Sequence, residues 1–269
     1  MAINLKKGLL YLIGGKEDRH YDKFVLKKLL DLSKPKHITL IPSASSYPLE
    51  MAREYKDAFG DLGVKNIDVL DIRYADETDE ERNIKIIENT DLVFFSGGDQ
   101  VRLAELFLGS RLLNTIIFRH NNGLTVAGSS AGAHIASDEM LYYGERRGLI
   151  KGSVKSSKGF GFVKIVIDTH FSNRKRIYRL SQFLAAHSTE IGIGLDEDTA
   201  IAIKNDNTFE VVGSGLATII KKSENFVTNY KEVREREPIS IDGLQVSFLN
   251  NGMKYDLNRF TLLKFKKLA

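Results

Sequence analysis

A serine between two glycines is the residue in this chain with the most suitable setting for chemistry. An apolar stretch, LTVAGSSAGA at residues 124–133, ends in a Gly-x-Ser-x-Gly pattern centred on Ser130. Gly128 and Gly132 lack Cβ atoms, so the chain can turn sharply there and project Ser130 between a strand and a helix. The first amides of that helix would face an oxyanion formed at the serine. The alternative is an ordinary glycine-containing turn without a catalytic role.

A serine hydroxyl needs a base to become a nucleophile at neutral pH. His170 follows an apolar run and precedes a helical pattern. That setting predicts a position at the carboxyl edge of a strand, on the same rim as Ser130. His134, one turn after Ser130, is predicted to point away from the nucleophile. The other histidines are interpreted as structural: His20, His37, His120 and His187.

A carboxylate usually orients a base of this kind. Three acids follow another apolar run, at Asp196, Glu197 and Asp198. Spacing alone does not choose among them, and a solvated acidic turn is the alternative. The order serine, histidine, acid differs from the order in α/β-hydrolases, which argues against that fold.

The elements that must position these residues alternate between short apolar runs and amphipathic stretches. Strands are predicted at residues 8–13, 37–41, 66–70, 91–95 and 124–127, and helices at 21–32, 48–62, 78–89 and 101–119. This rhythm predicts an α/β fold with a central, mostly parallel sheet and helices on both faces. Ligands of such sheets bind beyond the carboxyl ends of the strands.

The second half of the chain has a different rhythm. A strand at 162–167 and a basic amphipathic helix at about 173–187 are followed by short runs at 191–195, 200–204, 209–212, 246–249 and 255–263. Their close spacing predicts additional antiparallel strands toward the C-terminus. No linker or repeat interrupts the pattern, so one domain over residues 1–269 is expected.

Composition narrows the class of protein. The chain has 269 residues, of which 42% are hydrophobic and none is cysteine, which excludes disulfides, thiolate metal sites and a cysteine nucleophile. A net charge of +4 without a basic stripe argues against nucleic-acid binding.

No apolar run approaches the roughly 20 residues that span a bilayer, and no signal-peptide pattern is present, so no membrane partner and a cytoplasmic location are expected. No residue cluster has convincing metal-ligand spacing, so neither metal nor cofactor is expected.

Six short motifs stand in order along almost the whole chain. They are IGGKED at 13–18, FSGGDQ at 95–100, GSSAGA at 128–133, DTHF at 168–171 followed by three arginines, GLDEDTA at 194–200 and VGSG at 212–215. Together they resemble the cyanophycinase family and, more distantly, the aspartyl dipeptidases (peptidase E) of the same serine-peptidase family. The resemblance implies a flavodoxin-like fold related to class I amidotransferases, which usually forms a homodimer.

The resemblance also implies roles for particular residues. It assigns the nucleophile to Ser130, the general base to His170 and the supporting acid to Glu197. It places residues 98 and 99 opposite the serine turn, so an oxyanion hole is expected from the amides of Gly98, Asp99 and Ala131.

The substrate that the resemblance implies is cyanophycin, a poly-aspartate whose side chains carry arginine through isopeptide bonds. The family releases β-aspartyl-arginine dipeptides from it. The pocket is expected to involve Gln100, Asp168, Thr169, Arg174, Arg176 and Arg179. Gln100 offers an amide donor and acceptor, Asp168 could receive a cation, and Arg174 could bind a carboxylate. For Arg176 and Arg179, a solvated helix face is an equal alternative.

Two positions depart from the family pattern. Thr169 stands where cyanophycinases typically carry glutamine, which removes an amide from the pocket. Ser129 stands where threonine is usual, a conservative change.

Three further functions are weighed against cyanophycin hydrolysis. A dipeptidase for short aspartyl peptides would use the same chemistry, although the strands beyond the acidic motif favour the longer cyanophycinases. A non-catalytic ligand-binding domain would retain the fold and its cleft. Nucleotide binding at Gly97 and Gly98 is least favoured, because the Walker lysine spacing and the three-glycine fingerprint are both missing.

Overall fold

Strands and helices alternate along the first half of the chain, as the hydrophobic pattern predicts. The structure is a computed structural model that describes residues 7–144 and 148–263. The helices of this described part are α1 Phe24–Ser33, α2 Pro48–Asp61, α3 Glu81–Glu88, α4 Gln100–Phe107, α5 Arg111–His120, α6 Ala131–His134 and α7 Ile177–Ala186, and a 3₁₀ turn spans Ala75–Asp79. None of the helices in the described ranges combines the length and apolar composition needed to cross a bilayer.

The strands form two main sheets and one separate hairpin. They are β1 Leu10–Ile13, β2 His37–Ile41, β3 Asn66–Val69, β4 Leu92–Phe95, β5 Thr125–Ser129, β6 Glu139–Gly144, β7 Val154–Lys158, β8 Val166–Thr169, β9 Ile191–Leu195, β10 Thr199–Ile203, β11 Thr208–Gly213, β12 Ala217–Thr228, β13 Ile241–Leu249, β14 Lys254–Asp256 and β15 Thr261–Leu263. The first sheet has the order β15-β14-β11-β10-β1-β5-β4-β2-β3, the second has the order β13-β12-β9-β8, and β6 pairs with β7.

Five parallel strands form one side of the first sheet, from its middle to the edge strand β3. The strands β3, β2, β4, β5 and β1 pair in parallel, and β10 then joins β1 in the antiparallel direction. Both faces of β1 are buried, because Leu10 and Leu12 pack into one apolar cluster while Tyr11 and Ile13 pack into another. Burial on both faces explains why the parallel strands are continuous apolar runs rather than alternating ones. The predicted α/β class, with additional C-terminal antiparallel strands, is confirmed.

The predicted helix at 101–119 is two helices. Gly109, with a φ of 83°, ends the first, and Ser110 caps the second by accepting a hydrogen bond from the Leu113 amide at 3.1 Å. A left-handed glycine followed by a serine cap stops one helix and starts another, which apolar periodicity alone does not reveal.

The strand predicted at 162–167 begins later, at Val166. Phe160 and Phe162 instead pack in an aromatic cluster, and their amides donate to the carbonyls of Ile135 and Ala136. These backbone bonds hold the segment beside the chain that follows α6, so the strand starts only after it.

The second sheet is formed by four strands that lie downstream of the serine turn. β8 and β9 pair in parallel, and β12 and β13 extend the sheet in the antiparallel direction. Helix α7 packs on this sheet, where a Cβ at Gly192 would lie 2.6 Å from the Leu180 side chain. Because β8 and β9 end beside β1 and β5, two different sheets supply the residues of the candidate site.

Candidate active site

The serine turn lies at the carboxyl end of β5, in the middle of the first sheet. Ser130 has a φ of 51° and a ψ of −104°, a conformation that residues with a Cβ rarely adopt. The turn is tight on both sides, since a Cβ at Gly128 would lie 2.3 Å from the carbonyl oxygen of Gly132. These close approaches leave only glycine at position 128 and expose the Ser130 hydroxyl at the strand end.

His170 comes from the second sheet and meets Ser130 directly. It follows β8, and its Nε2 lies 2.9 Å from Ser130 Oγ. Its amide donates to the Gly14 carbonyl at 2.9 Å, which joins the end of β8 to the loop after β1. The imidazole lies against Gly15, where a Cβ would lie 2.5 Å from the ring. The two groups that the sequence places on a common rim are therefore in hydrogen-bond contact, although their strands belong to different sheets.

Glu197 completes a hydrogen-bonded chain of three side chains. Its Oε1 lies 2.9 Å from His170 Nδ1. The neighbouring acids are engaged elsewhere: Asp196 accepts from the amides of residues 172 and 216, and Asp198 accepts from the amide of residue 18 and the hydroxyl of residue 214. Among the three acids that spacing left open, Glu197 is the one that contacts the imidazole.

Burial controls the charge of the imidazole. Desolvation lowers the pKa of His170 to about 4, and the positive charges of Arg174 and Arg176 act in the same direction, whereas the hydrogen bond to Glu197 opposes the shift. Burial also opposes ionisation of Glu197, but hydrogen bonds from Lys16 and His170 lower the pKa of Glu197. At neutral pH the site therefore holds a carboxylate and a neutral imidazole, the states in which His170 can accept a proton.

This charge state predicts an acid limb well below neutral pH. We expect kcat/KM to stay flat from pH 7 to about 5 and to fall tenfold per pH unit below about 4. At pH 5.5 a base with this pKa is still about 97% neutral, whereas one with the ordinary value of 6.5 would be about 9% neutral. The measurement is kcat/KM against pH with a substrate that has no group titrating between pH 4 and 8; a midpoint near 6.5 would contradict the assignment.

The same experiment needs a stability control. His120 is buried, and desolvation lowers the pKa of His120 to about 4 as well. Because both histidines titrate lower when folded, protons favour the unfolded chain increasingly as pH falls from about 6.5 to about 4. Circular dichroism at each pH, with activity recovered on return to pH 7, separates this loss from protonation of the base.

Two of the predicted oxyanion donors are available. Within residues 7–144 and 148–263, neither the Gly98 amide nor the Ala131 amide donates to a protein group. The Asp99 amide, in contrast, donates to the Ala44 carbonyl at 2.9 Å. Helix α6 is only four residues long, so individual amides matter here more than a helix dipole. This geometry leaves Gly98 and Ala131 as the donors that an oxyanion could use.

Several residues predicted to bind substrate instead form a buried ion cluster. Asp168 is fully buried and accepts from Arg179 Nε at 2.8 Å and from Arg176 Nη1 at 3.1 Å. Its burial opposes ionisation, but the charge and hydrogen bonds of Arg179 lower the pKa of Asp168 below its usual range. The sequence predicts that Asp168 receives a substrate cation and, as an alternative, that Arg176 and Arg179 form a solvated helix face. This buried arrangement differs from both.

The cluster also contacts the serine turn. His134 Nε2 lies 3.2 Å from Asp168 Oδ1, and His134 Nδ1 lies 3.1 Å from both the Ser130 carbonyl oxygen and Thr169 Oγ1. Burial lowers the pKa of His134, so its imidazole is neutral. Thr169 thus faces the interior beneath the serine rather than a pocket, and His134 lies behind the nucleophile, as expected.

Gln100 and Arg174 remain at the edge of the site. Gln100 is half-buried at the start of α4, and its Nε2 donates to the Tyr142 carbonyl at 3.4 Å, so its amide oxygen stays available. Arg174 is exposed, and in the described part of the chain its guanidinium contacts no carboxylate. Its positive charge faces the site closely enough to lower the pKa of His170. No group of three or more potential ligands in the described ranges could hold a metal ion.

The sequence places Gly14 and Gly15 at a strand end suited to a site, but it does not reveal the contacts of Lys16 and Glu17, which follow them. Lys16 Nζ lies 3.0 Å from the same Glu197 oxygen that contacts His170. Glu17 is buried and accepts a hydrogen bond from Ser129 Oγ at 2.7 Å. Both residues belong to the IGGKED motif, and a sequence motif does not indicate which side chains its residues contact.

The fold and the site together are those of a serine-type hydrolytic enzyme. The profile of peptidase family S51 matches residues 9–211, and the chain belongs to this family of serine-type peptidases. A non-catalytic ligand-binding domain is therefore not the better description.

The individual relatives that match the chain include cyanophycinases and a peptidase E. The chain is 32% identical over 262 residues to the cyanophycinase of Trichormus variabilis, covering 96% of this chain and 88% of that protein. It is 25% identical over 221 residues to peptidase E of Nostoc sp., covering 78% and 86%. The crystal structure of a peptidase from an acI-B1 Actinobacterium superposes with a TM-score of 0.72 at 22% identity, over 94% of this chain and 98% of that chain, which establishes the shared fold.

Proposed function

We propose that the protein hydrolyses cyanophycin or a closely related β-aspartyl peptide through an acyl-enzyme on Ser130. The observation that carries the proposal is the continuous chain from Ser130 Oγ to His170 Nε2 and from His170 Nδ1 to Glu197, with both distances at 2.9 Å. His170 takes the hydroxyl proton as Ser130 attacks the carbonyl, and the imidazolium is stabilised by Glu197. The amides of Gly98 and Ala131 are the proposed donors to the oxyanion.

The proton on His170 completes acylation, and a water molecule then completes the reaction. His170 donates its proton to the departing amine, which leaves Ser130 acylated. Water then loses a proton to His170 and attacks the acyl carbon. His170 returns that proton to Ser130 Oγ as the bond between the acyl carbon and Oγ breaks, which releases the acid product and restores the serine. The neutral state of His170 at physiological pH suits both proton abstractions.

The exposed Arg174 supports a substrate with a free carboxylate. Its guanidinium is not paired with a carboxylate in the described residues, and a bidentate contact to a carboxylate is the interaction that arginine makes best. Asp168 is not part of this proposal, because its carboxylate is already neutralised by two arginines.

Cyanophycin is favoured over short peptides by the extent of the similarity. The cyanophycinase match covers 96% of the chain, whereas the peptidase E match covers 78%. The dipeptidase remains the second candidate, since the chain is also 25% identical to peptidase E of Nostoc sp.. Both candidates require the same serine, histidine and glutamate.

Product analysis distinguishes the two candidates. We expect wild-type protein incubated with purified cyanophycin to release β-aspartyl-arginine, detected by mass spectrometry, and to cleave free Asp-X dipeptides at least about tenfold more slowly. Wild-type protein with Ser130 blocked by a fluorophosphonate is the control. Rapid cleavage of the dipeptides with intact polymer would favour the peptidase E-like function.

A single domain, a homodimer and a cytoplasmic location remain predictions. Light scattering coupled to size exclusion would give the mass of the assembly directly, against 30.2 kDa for one chain.

A further inference from the structure

One short segment contacts every part of the catalytic chain. We call residues 13–17 the positioning loop. Its successive carbonyls accept from three different elements: Ile13 from the Ser130 amide at 3.0 Å, Gly14 from the His170 amide at 2.9 Å, and Gly15 from the Asp198 amide at 2.9 Å. The backbone of this loop therefore joins the end of β5 in the first sheet to the ends of β8 and β9 in the second.

Glu17 is the buried charged group in this loop that the proposed mechanism does not use. It is 3% exposed, and both of its carboxylate oxygens are occupied. Oε2 accepts from Ser129 Oγ at 2.7 Å, and Oε1 accepts from the Tyr55 hydroxyl. Burying a carboxylate is costly unless hydrogen bonds compensate it, so its position calls for an explanation.

Tyr55 anchors the other side of this carboxylate in the core. Its ring packs against Phe94 with centroids 4.6 Å apart, and the Arg19 guanidinium lies 5.1 Å above the ring. Burial, and the negative charge of Glu17, raise the pKa of Tyr55 well above its ordinary value, so its hydroxyl stays protonated and donates. Glu17 thus links a fixed aromatic core residue to the residue that precedes the nucleophile.

We propose that Glu17 is a positioning residue: through Ser129 it holds the strained serine turn in the orientation that brings Ser130 Oγ to His170. This inference rests on the proposed role of Ser130 as nucleophile. Ser129 pairs with Ile13 in the parallel ladder of β1 and β5, so its backbone and its side chain are both tied to the positioning loop. A misplacement of about 1 Å at the reacting atoms can lower the rate on the order of 100-fold, so loss of this link is expected to slow the reaction.

Substitutions at the two ends of the link test the proposal. Glu17→Gln replaces one acceptor oxygen by an NH₂ group, so one of the two hydroxyls loses its partner. Ser129→Ala removes the donor, whereas Ser129→Thr keeps a hydroxyl on a β-branched residue that suits a strand. We expect Glu17→Gln and Ser129→Ala to lower kcat by about 10- to 100-fold with KM within about twofold, and Ser129→Thr to stay within about threefold of wild type.

A second readout does not depend on the identity of the substrate. The rate at which a fluorophosphonate labels Ser130 should fall in Glu17→Gln and Ser129→Ala by a factor similar to the fall in kcat. The double variant should be no slower than the slower single variant, because both changes break the same link. Ser110→Ala, which removes the hydroxyl that caps α5 by accepting from the Leu113 amide, controls for a general loss of stability.

The possible outcomes separate this inference from the proposed function. If Ser130→Ala retains activity or wild-type Ser130 resists labelling, the proposed function fails. If wild type is labelled and active but Glu17→Gln and Ser129→Ala match it, the positioning role is wrong. Additive losses in the double variant, or equal losses in Ser129→Ala and Ser129→Thr, would also overturn it. A fall in activity that Ser110→Ala reproduces would show stability to be the cause.

Discussion

Replacing Ser130 by alanine is expected to lower kcat on the β-aspartyl substrate by at least about 10⁴-fold, the scale seen when a nucleophile is removed from a serine peptidase. The loss arises because no other hydroxyl lies within hydrogen-bond distance of His170 Nε2 in the described part of the chain. The measurement is single-turnover and steady-state release of the dipeptide product. Covalent labelling by a fluorophosphonate should disappear in parallel.

The fold should survive this change. Among the residues that the structure describes, Ser130 Oγ contacts the His170 imidazole and donates to no backbone group. We expect the unfolding midpoint of Ser130→Ala to stay within about 3 °C of wild type. Ser33→Ala is a matched control, since it also removes a serine hydroxyl, one that donates to the Leu29 carbonyl within helix α1. Undiminished turnover by Ser130→Ala would remove the basis of the acyl-enzyme mechanism.

Strained backbone accompanies the catalytic chain. Lys16, Ser130, His170 and Asp198 all adopt positive φ, between 47° and 51°. Such conformations cost on the order of 1–3 kcal/mol each and persist only where surrounding contacts hold them. The carbonyls of the positioning loop supply part of that restraint, because they accept hydrogen bonds from the amides of Ser130, His170 and Asp198. Local backbone preferences therefore disfavour these four conformations, and tertiary contacts stabilise them.

The difference between local preferences and tertiary contacts explains which features the sequence predicts well and which it does not. The apolar runs LYLI, LVFF and TVAGS identify β1, β4 and β5 because both faces of each strand are buried. The serine turn and His170 are predictable because each follows such a run at a chemically suitable residue. The contact between them crosses two sheets, and hydrophobic periodicity carries no information about the relative placement of sheets.

The role of Asp168 was harder to predict for a related reason. Asp168 stands in a motif beside His170, and three arginines follow it, which is also the composition of an ionic substrate pocket. Whether those side chains turn outward or inward depends on how α7 packs on the second sheet, which carries Asp168 at the end of β8. The sequence shows charges near one another but not which of them is desolvated.

A substitution at Asp168 has the largest expected effect on stability. Asp168→Asn removes the negative charge that neutralises Arg179, which is 6% exposed, and Arg176. Removing one partner of a buried ion pair typically costs about 3–5 kcal/mol, because the remaining charge is left uncompensated. For a chain of this size that corresponds to a fall of about 10 °C in the unfolding midpoint. Thermal and urea unfolding at pH 7 would measure it, and Asp31→Asn on the exposed surface of α1 is the control.

A second, compensating substitution tests whether an unpaired buried charge causes the loss of stability. If the cost comes from an unpaired buried guanidinium, adding Arg179→Met to Asp168→Asn should recover part of the lost stability, because an apolar side chain of similar length replaces the orphaned charge. A substrate-binding role predicts something different: a raised KM, an unchanged unfolding midpoint and no recovery in the double variant. Because His134 contacts both Asp168 and the Ser130 carbonyl, kcat falls under either role, so the unfolding midpoint is the measurement that separates them.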